Sequence, residues 1–156
     1  MGRIVRSVDF ERVLACPTQA RSRHFAVHFL DARPSRPGKA AKPQVVNTLR
    51  SELSTGQGRE AGGSVDESPD QCWLGAVIPK RHARRAVTRN LLKRQIRQIV
   101  AAQSAGSGLR EGLWVVRLRS AFDTAVHTSA SSALLREDAG RELTQLMADA
   151  ARRAAA

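Results

Sequence analysis

Residues 32–71 constrain the fold more than any other stretch, because they divide the chain into two flanks that are each too short to fold alone. The interval carries five Gly, four Pro and five Ser among scattered charges of both signs, with only brief apolar interruptions such as Val45 and Val46. Ordering it would cost about 1–2 kcal/mol of backbone entropy per residue and bury little apolar area in return. A structureless connection this long is uncommon inside a compact domain. The flanks are therefore expected to fold on each other as one domain spanning 1–156, interrupted by a flexible insertion at 32–71.

The flanks supply a short series of elements. Ser7 can cap a helix over 8–15, where Val13 and Leu14 follow Phe10 at the spacing that gathers apolar groups on one side, and Pro17 ends it. In His24-Phe-Ala-Val-His-Phe-Leu, residues Phe25, Val27 and Phe29 fall on one face of a strand, which should meet the core. A second strand over 72–78 stops at Pro79, and a helix over 84–103 precedes Gly106-Ser107-Gly108. Leu113 to Leu118 is β-rich. Thr128, Ser129 and Ser131 offer caps for a last helix over 132–153, striped by Leu134, Leu135, Leu143, Leu146 and Met147 and weakened at Gly140. The order is α, β, insertion, β, α, β, α, with a further short strand expected around 45–49.

The chain has 26 Lys and Arg against 14 Asp and Glu, a formal charge of +12, and Arg greatly outnumbers Lys. That excess points to a polyanionic partner, nucleic acid before an acidic protein or membrane surface, because a guanidinium grips a phosphate through two donors. Cys16 and Cys72 are far apart without a CxxC neighbour, and the four histidines show no ligand spacing, so no metal site or disulfide scaffold is indicated. No phosphate-binding or dinucleotide glycine fingerprint occurs. The opening lacks a continuous apolar stretch and no window approaches the ~18 apolar residues of a membrane span, so a cytoplasmic protein is expected.

The positive charge is concentrated. Lys80, Arg81, Arg84, Arg85, Arg89, Lys93, Arg94 and Arg97 lie in a stretch without a single acid from Gln71 through Arg110. At about 100° per residue, Arg89, Lys93, Arg97, Asn90 and Arg94 share one broad sector, opposite Thr88, Leu92, Ile96, Ile99 and Gln103. A merely solvated face would interleave acids, since like charges three or four residues apart repel by a few tenths of a kcal/mol. Phosphates offset that repulsion. Asn90 can donate and accept at an RNA turn or sugar edge, or satisfy a neighbouring backbone group. Lys80 and Arg81, between strand and helix, are donors for the same surface or ordinary turn residues.

From Leu74 to Arg97 the sequence LGAVIPKRHARRAVTRNLLKRQIR resembles the protein component of bacterial ribonuclease P. That family carries a strand, paired basic residues and a helix with Arg-Asn-Arg-x-Lys-Arg, which stands in this sequence as Arg89, Asn90, Leu91, Leu92, Lys93, Arg94. The early RSVDFERVL and HFAVHF are similar to its first helix and first strand, so the likeness covers nearly everything outside 32–71. It departs at Leu91, where a second Arg is usual, at Leu14, where an aromatic is common, and in the length of the insertion.

The resemblance implies an α/β (α+β) fold, a small mixed sheet with three helices and a left-handed β-α-β crossover. It implies a protein subunit assisting a catalytic RNA, the ribonuclease P RNA, in removing the 5′ leader from precursor tRNA. Lys80, Arg81, Arg84, Arg85, Arg89, Asn90, Lys93, Arg94 and Arg97 would face RNA. Phe10, Leu14, Phe25 and His28 match the cleft that contacts the single-stranded leader, with Phe25 equally readable as core. No catalytic residue is expected from the protein: hydrolysis would rest on Mg²⁺ held mainly by RNA phosphates. A noncatalytic ribosome-associated RNA-binding protein and a basic DNA-binding helix remain the other readings.

Overall fold

The apolar runs at 25–30, 72–77 and 112–118 form the centre of a mixed sheet, because their β-branched and aromatic residues fit a pleated, buried surface. The computed structural model describes residues 1–36, 69–106, 108–129 and 132–156. Among them the elements run β1 (Gly2–Arg3), α1 (Ser7–Ala15), β2 (Thr18–Arg21), β3 (Phe25–Leu30), β4 (Cys72–Val77), α2 (Ala86–Ala105), β5 (Gly112–Leu118) and α3 (Ala133–Ala155). All of these elements belong to one compact unit. The strand expected near 45–49 lies outside the described residues.

The strand order is β1-β4-β5-β3-β2. β4 runs parallel to β5 with Leu74 opposite Trp114, and α2 makes the crossover between them. β3 runs antiparallel to β5, Val27 opposite Val116, and β2 closes that edge antiparallel to β3. This is the expected mixed sheet with three helices.

Alternation along the strands divides the core into two layers. Phe25, Val27, Phe29, Leu74, Trp114, Val116 and Leu118 pack beneath α2 and α3, meeting Leu92, Ile96 and Val100 of α2 and Leu143, Leu146 and Met147 of α3. On the other face Leu113 and Val115 meet Val13 of α1 and Ile4, which follows β1, with Phe10 and Leu14 packed alongside. Burial of each such large side chain contributes about 1.5–3 kcal/mol, so the α2/α3 layer supplies most of the anchoring. At Gly112 the chain enters β5 with φ of 139°. A Cβ there would lie 2.7 Å from the Phe29 ring and 2.8 Å from the Leu30 carbonyl oxygen, so only glycine fits.

Two helix starts differ from the sequence expectation. Ser7 is the first residue of α1, not its cap: Arg6 is extended as the chain leaves β1 and occupies the N-cap without a side-chain bond. For α3 the cap is Ser132, whose Oγ accepts from the Leu135 N–H at 3.0 Å, one or more residues beyond Thr128, Ser129 and Ser131. Gly140 leaves α3 unbroken. Leu134 is exposed, and small residues Ala139, Ala150 and Ala154 continue the buried stripe instead. No helix among the described residues is long and apolar enough to cross a membrane.

Candidate nucleic-acid interface

The basic segment is positioned by its neighbours in sequence. Pro79 ends β4 and its carbonyl accepts from the N–H groups of His82 (3.1 Å) and Ala83 (3.2 Å), a tight turn that leaves Lys80 and Arg81 exposed. Arg84 and Arg85, also exposed, precede α2, which begins at Ala86. Leu92 and Ile96 are fully buried under the helix, and this anchoring stripe directs Asn90, Arg94 and Arg97 outward.

The single sector expected for Arg89, Asn90, Lys93, Arg94 and Arg97 is divided. Arg89 is half-buried and turned to the helix start, where Nη1 donates to the carbonyls of Ala83 (3.0 Å) and Arg84 (2.6 Å). Lys93 and Arg97 line a groove with Arg3, Phe10 and Gly75 on the α1 side of the sheet. Asn90 and Arg94 line another with Leu91 and Arg136, toward α3. Lys93 and Arg94, successive residues about 100° apart on the wheel, turn to different flanks of the one helix. Leu91 packs partly against the main core, as its place on the wheel suggests.

None of the eight cations from Lys80 to Arg97 pairs with a carboxylate among the described residues. Cations elsewhere do: Arg12 with Asp9, Arg33 with Asp70, Arg110 with Asp31, Arg141 with Glu137 and Arg152 with Asp149. The α2 side therefore presents uncompensated positive charge, suited to a row of phosphates.

The four cleft candidates do not share a surface. Phe10 and Leu14 of α1 and His28 of β3 lie on the α1 side, where Phe10 sits so close to Gly75 that a Cβ there would approach its ring to 2.4 Å. His28 is buried and its Nδ1 donates to the Cys16 carbonyl at 3.0 Å. Phe25, fully buried, belongs to the opposite layer. Strand parity is the reason: positions three apart cannot face the same way.

Sequence reasoning missed Arg3, Arg117 and Arg136. Arg3 joins Lys93 and Arg97 through β1, which is only two residues long. Arg117 is paired with Ala26 and Val77, and alternation from Leu113 and Val115 places it on the α1 side, a position readable from the strand pattern. Arg136 reaches the α2 flank through helix packing alone.

α3 also ties down the β2–β3 turn. Glu142 accepts from Ser22 Oγ (2.5 Å), from the His24 N–H (2.7 Å) and from His24 Nδ1 (2.7 Å). Burial pushes its carboxyl up, but the bonds from Ser22 and His24 outweigh it and hold the group below its ordinary range. Burial raises the Cys72 thiol, consistent with an unreactive interior cysteine. Among the described residues no group of three or more His, Cys, Asp or Glu is arranged to hold a metal ion.

Residues 2–140 match the family model described as Ribonuclease P. The chain is similar to the ribonuclease P protein component of Bordetella parapertussis, 43% identical over 65 residues that cover 42% of this chain and 51% of that protein. To the ribonuclease P protein component of Burkholderia mallei it is 40% identical over 85 residues, 53% of this chain and 59% of the relative. The matched stretches thus span little more than half the length of these relatives. In fold it is similar to the RNase P protein of Staphylococcus aureus, with a TM-score of 0.56 at 17% identity over 94% of this chain and 93% of that one. The match over 2–140, which includes the strand, turn and helix that build the basic face, shows that the chain belongs to the ribonuclease P protein family.

Proposed function

We propose that this chain is the protein subunit of ribonuclease P, which binds a catalytic RNA and the single-stranded 5′ leader of precursor tRNA while the RNA performs the endonucleolytic cut. One observation carries the reading: Lys93, Arg94 and Arg97 project from a firmly anchored helix with no acid among the described residues paired to them. Family membership supplies the identity of the RNA. Cations at this density lower the repulsion between two RNA molecules brought together, and a fixed surface holds the substrate in register with the RNA's own groups.

The α1 side suits the leader. Phe10, Leu14 and the sheet floor around Gly75 offer apolar packing for bases, with Arg3, Lys93, Arg97 and Arg117 near enough in the fold to hold a phosphate backbone. Arg and Lys groups do not fit a divalent cation, so Mg²⁺, which supplies the hydrolytic water's activation in this reading, belongs with the RNA phosphates.

The test is reconstitution. Catalytic RNA and precursor tRNA are combined with and without the chain, and the product ends are mapped. Faster cleavage at the leader junction, dependent on the RNA, is the expected result. Cleavage by the chain without RNA would make it an independent nuclease. RNA binding with no gain in processing would leave a structural RNA-binding protein.

A further inference from the structure

A groove of about 460 Å³ lies beside the start of α2, lined by Arg81, Arg84 and Arg85 on one side and by Phe122, His127 and Leu135 on the other. Its size is that of a pocket for a small-molecule-sized group. The walls differ in character. Phe122 and Leu135 give an apolar wall, while the three arginines at the mouth have no carboxylate partner among the described residues and no acid lines the groove.

His127 provides the second, independent observation. Its side chain is 9% exposed, its Nε2 lies 3.6 Å from Asp138 Oδ2, and its buried Nδ1 has no hydrogen-bond partner among the described residues. A buried ring nitrogen left unpaired is costly unless something else satisfies it. The ring is held edge-on to Phe122 at 5.6 Å, and Phe122 is stacked on His24 at 4.0 Å, so the aromatic wall is fixed before any ligand arrives. No side chain caps the first turn of α2 beside it.

We infer that this groove takes one unstacked nucleotide of an RNA strand, its base against Phe122 and Leu135 with an edge bonded to His127 Nδ1, and its phosphate at Arg84 and Arg85. A bare phosphate would leave the apolar wall and the ring nitrogen unused, and an apolar ligand would leave the arginines unused. A nucleotide satisfies all three. The assignment rests on the RNA-binding reading above and adds a site on the α2/α3 side, away from the α1 groove.

Titration of the full chain with AMP, adenosine and inorganic phosphate, followed by NMR of the His127 ring and the backbone amides of 84–88 and 122–128, tests it. AMP is expected to shift these signals with at least five-fold higher affinity than adenosine or phosphate. His127→Phe keeps the ring and removes the nitrogen. It should weaken AMP at least five-fold while Tm stays equal or rises. Should that variant not fold, Arg84→Ala with Arg85→Ala, both at exposed positions, should erase the advantage of AMP over adenosine. A short unpaired oligoribonucleotide should move the same signals and compete with AMP.

AMP no tighter than phosphate, or AMP binding unmoved by the folded variants, overturns the site. AMP binding without competition from the oligoribonucleotide marks a free-nucleotide site and overturns the RNA assignment. If AMP fails while catalytic RNA still binds, the groove alone is wrong. If catalytic RNA does not bind either, the broader reading falls with it.

Discussion

α2 and α3 lie side by side on the same face of one sheet and carry the same number of cations, yet they use them oppositely. α2 has Arg89, Lys93, Arg94 and Arg97 and no acid; α3 has Arg136, Arg141, Arg152 and Arg153 with Glu137, Asp138, Glu142 and Asp149. On α3 the charges are engaged within the chain: Arg141 pairs with Glu137, Arg152 with Asp149, and Glu142 holds the Ser22–His24 turn. On α2 no such acid exists. Both helices are anchored beneath by fully buried side chains, Leu92 and Ile96 in one and Leu143 and Met147 in the other, so the contrast lies in their outward faces. A helix whose four like charges have no carboxylate partner among the described residues presents a field suited to an anion.

The largest effect should come from removing that asymmetry. Lys93→Ala, Arg94→Ala and Arg97→Ala together are expected to weaken catalytic-RNA binding on the order of 100- to 1000-fold at low salt, and to lower the slope of log affinity against log salt by roughly 2–3. Arg141→Ala, Arg152→Ala and Arg153→Ala remove the same net charge from α3 and should change affinity by less than roughly three-fold, since Arg141 and Arg152 pair with acids and Arg153 donates to the Gln19 carbonyl. Equal losses from the two triples would mean that total charge, not the α2 face, attracts the RNA.

A stability measurement separates the helices in the other direction. Glu142→Ala strips three hydrogen bonds from a partly buried site and should cost about 3 kcal/mol, a fall in Tm of roughly 5–10 °C, with the salt slope of RNA binding unchanged. The same carboxyl sets a pH window. Held below its ordinary range in the folded chain, it binds fewer protons folded than unfolded. Its stabilisation is complete above the unfolded value of about 4.3 and is lost as pH falls through the lower folded value. Urea midpoints from pH 6 downward should therefore decline in that acid range, and by less in Glu142→Gln. Equal declines in both chains would remove Glu142 as the cause.

The anchoring of α2 was legible in the sequence because helical periodicity reports direction: Leu92 and Ile96 had to face inward. The sheet's centre was legible through the alternation of Phe25, Val27 and Phe29. β2 was not, because Thr-Gln-Ala-Arg buries only Ala20 and exists by pairing with β3, a contact no local pattern encodes. The same limit hid the wall formed by Phe122 and His127, whose place depends on how the loop after β5 meets α3. The wheel also could not show that Arg89 bonds the carbonyls of its own helix start, since direction does not specify a partner. Family resemblance groups Phe25 with His28, whereas their spacing in a strand sets them on opposite faces.

Arg89 gives a mixed case between the two helices. Arg89→Ala should destabilise the fold by about 1 kcal/mol, through the lost bonds to Ala83 and Arg84, and lower the salt slope by less than Lys93, Arg94 or Arg97 does singly. A full single-contact loss of slope with unchanged stability would return Arg89 to the RNA face.

The smallest effect concerns how the two helices begin. α3 is capped by Ser132, whereas the N-cap of α2 is Arg85, whose backbone has the extended cap conformation (φ −76°, ψ 133°) but whose side chain makes no cap bond. A cationic residue at the positive end of a helix dipole is unfavourable, and a serine there would accept from a first-turn N–H. Arg85→Ser is therefore expected to raise stability by about 0.5–1 kcal/mol in urea unfolding while weakening RNA binding and lowering its salt slope by about one. A gain in stability with no loss of affinity would break the comparison at this position, because α2 would then forgo a cap without any benefit to binding. A loss of both would show that the bond from Arg85 to the Thr128 carbonyl, 3.4 Å long, secures the helix start more than a cap can.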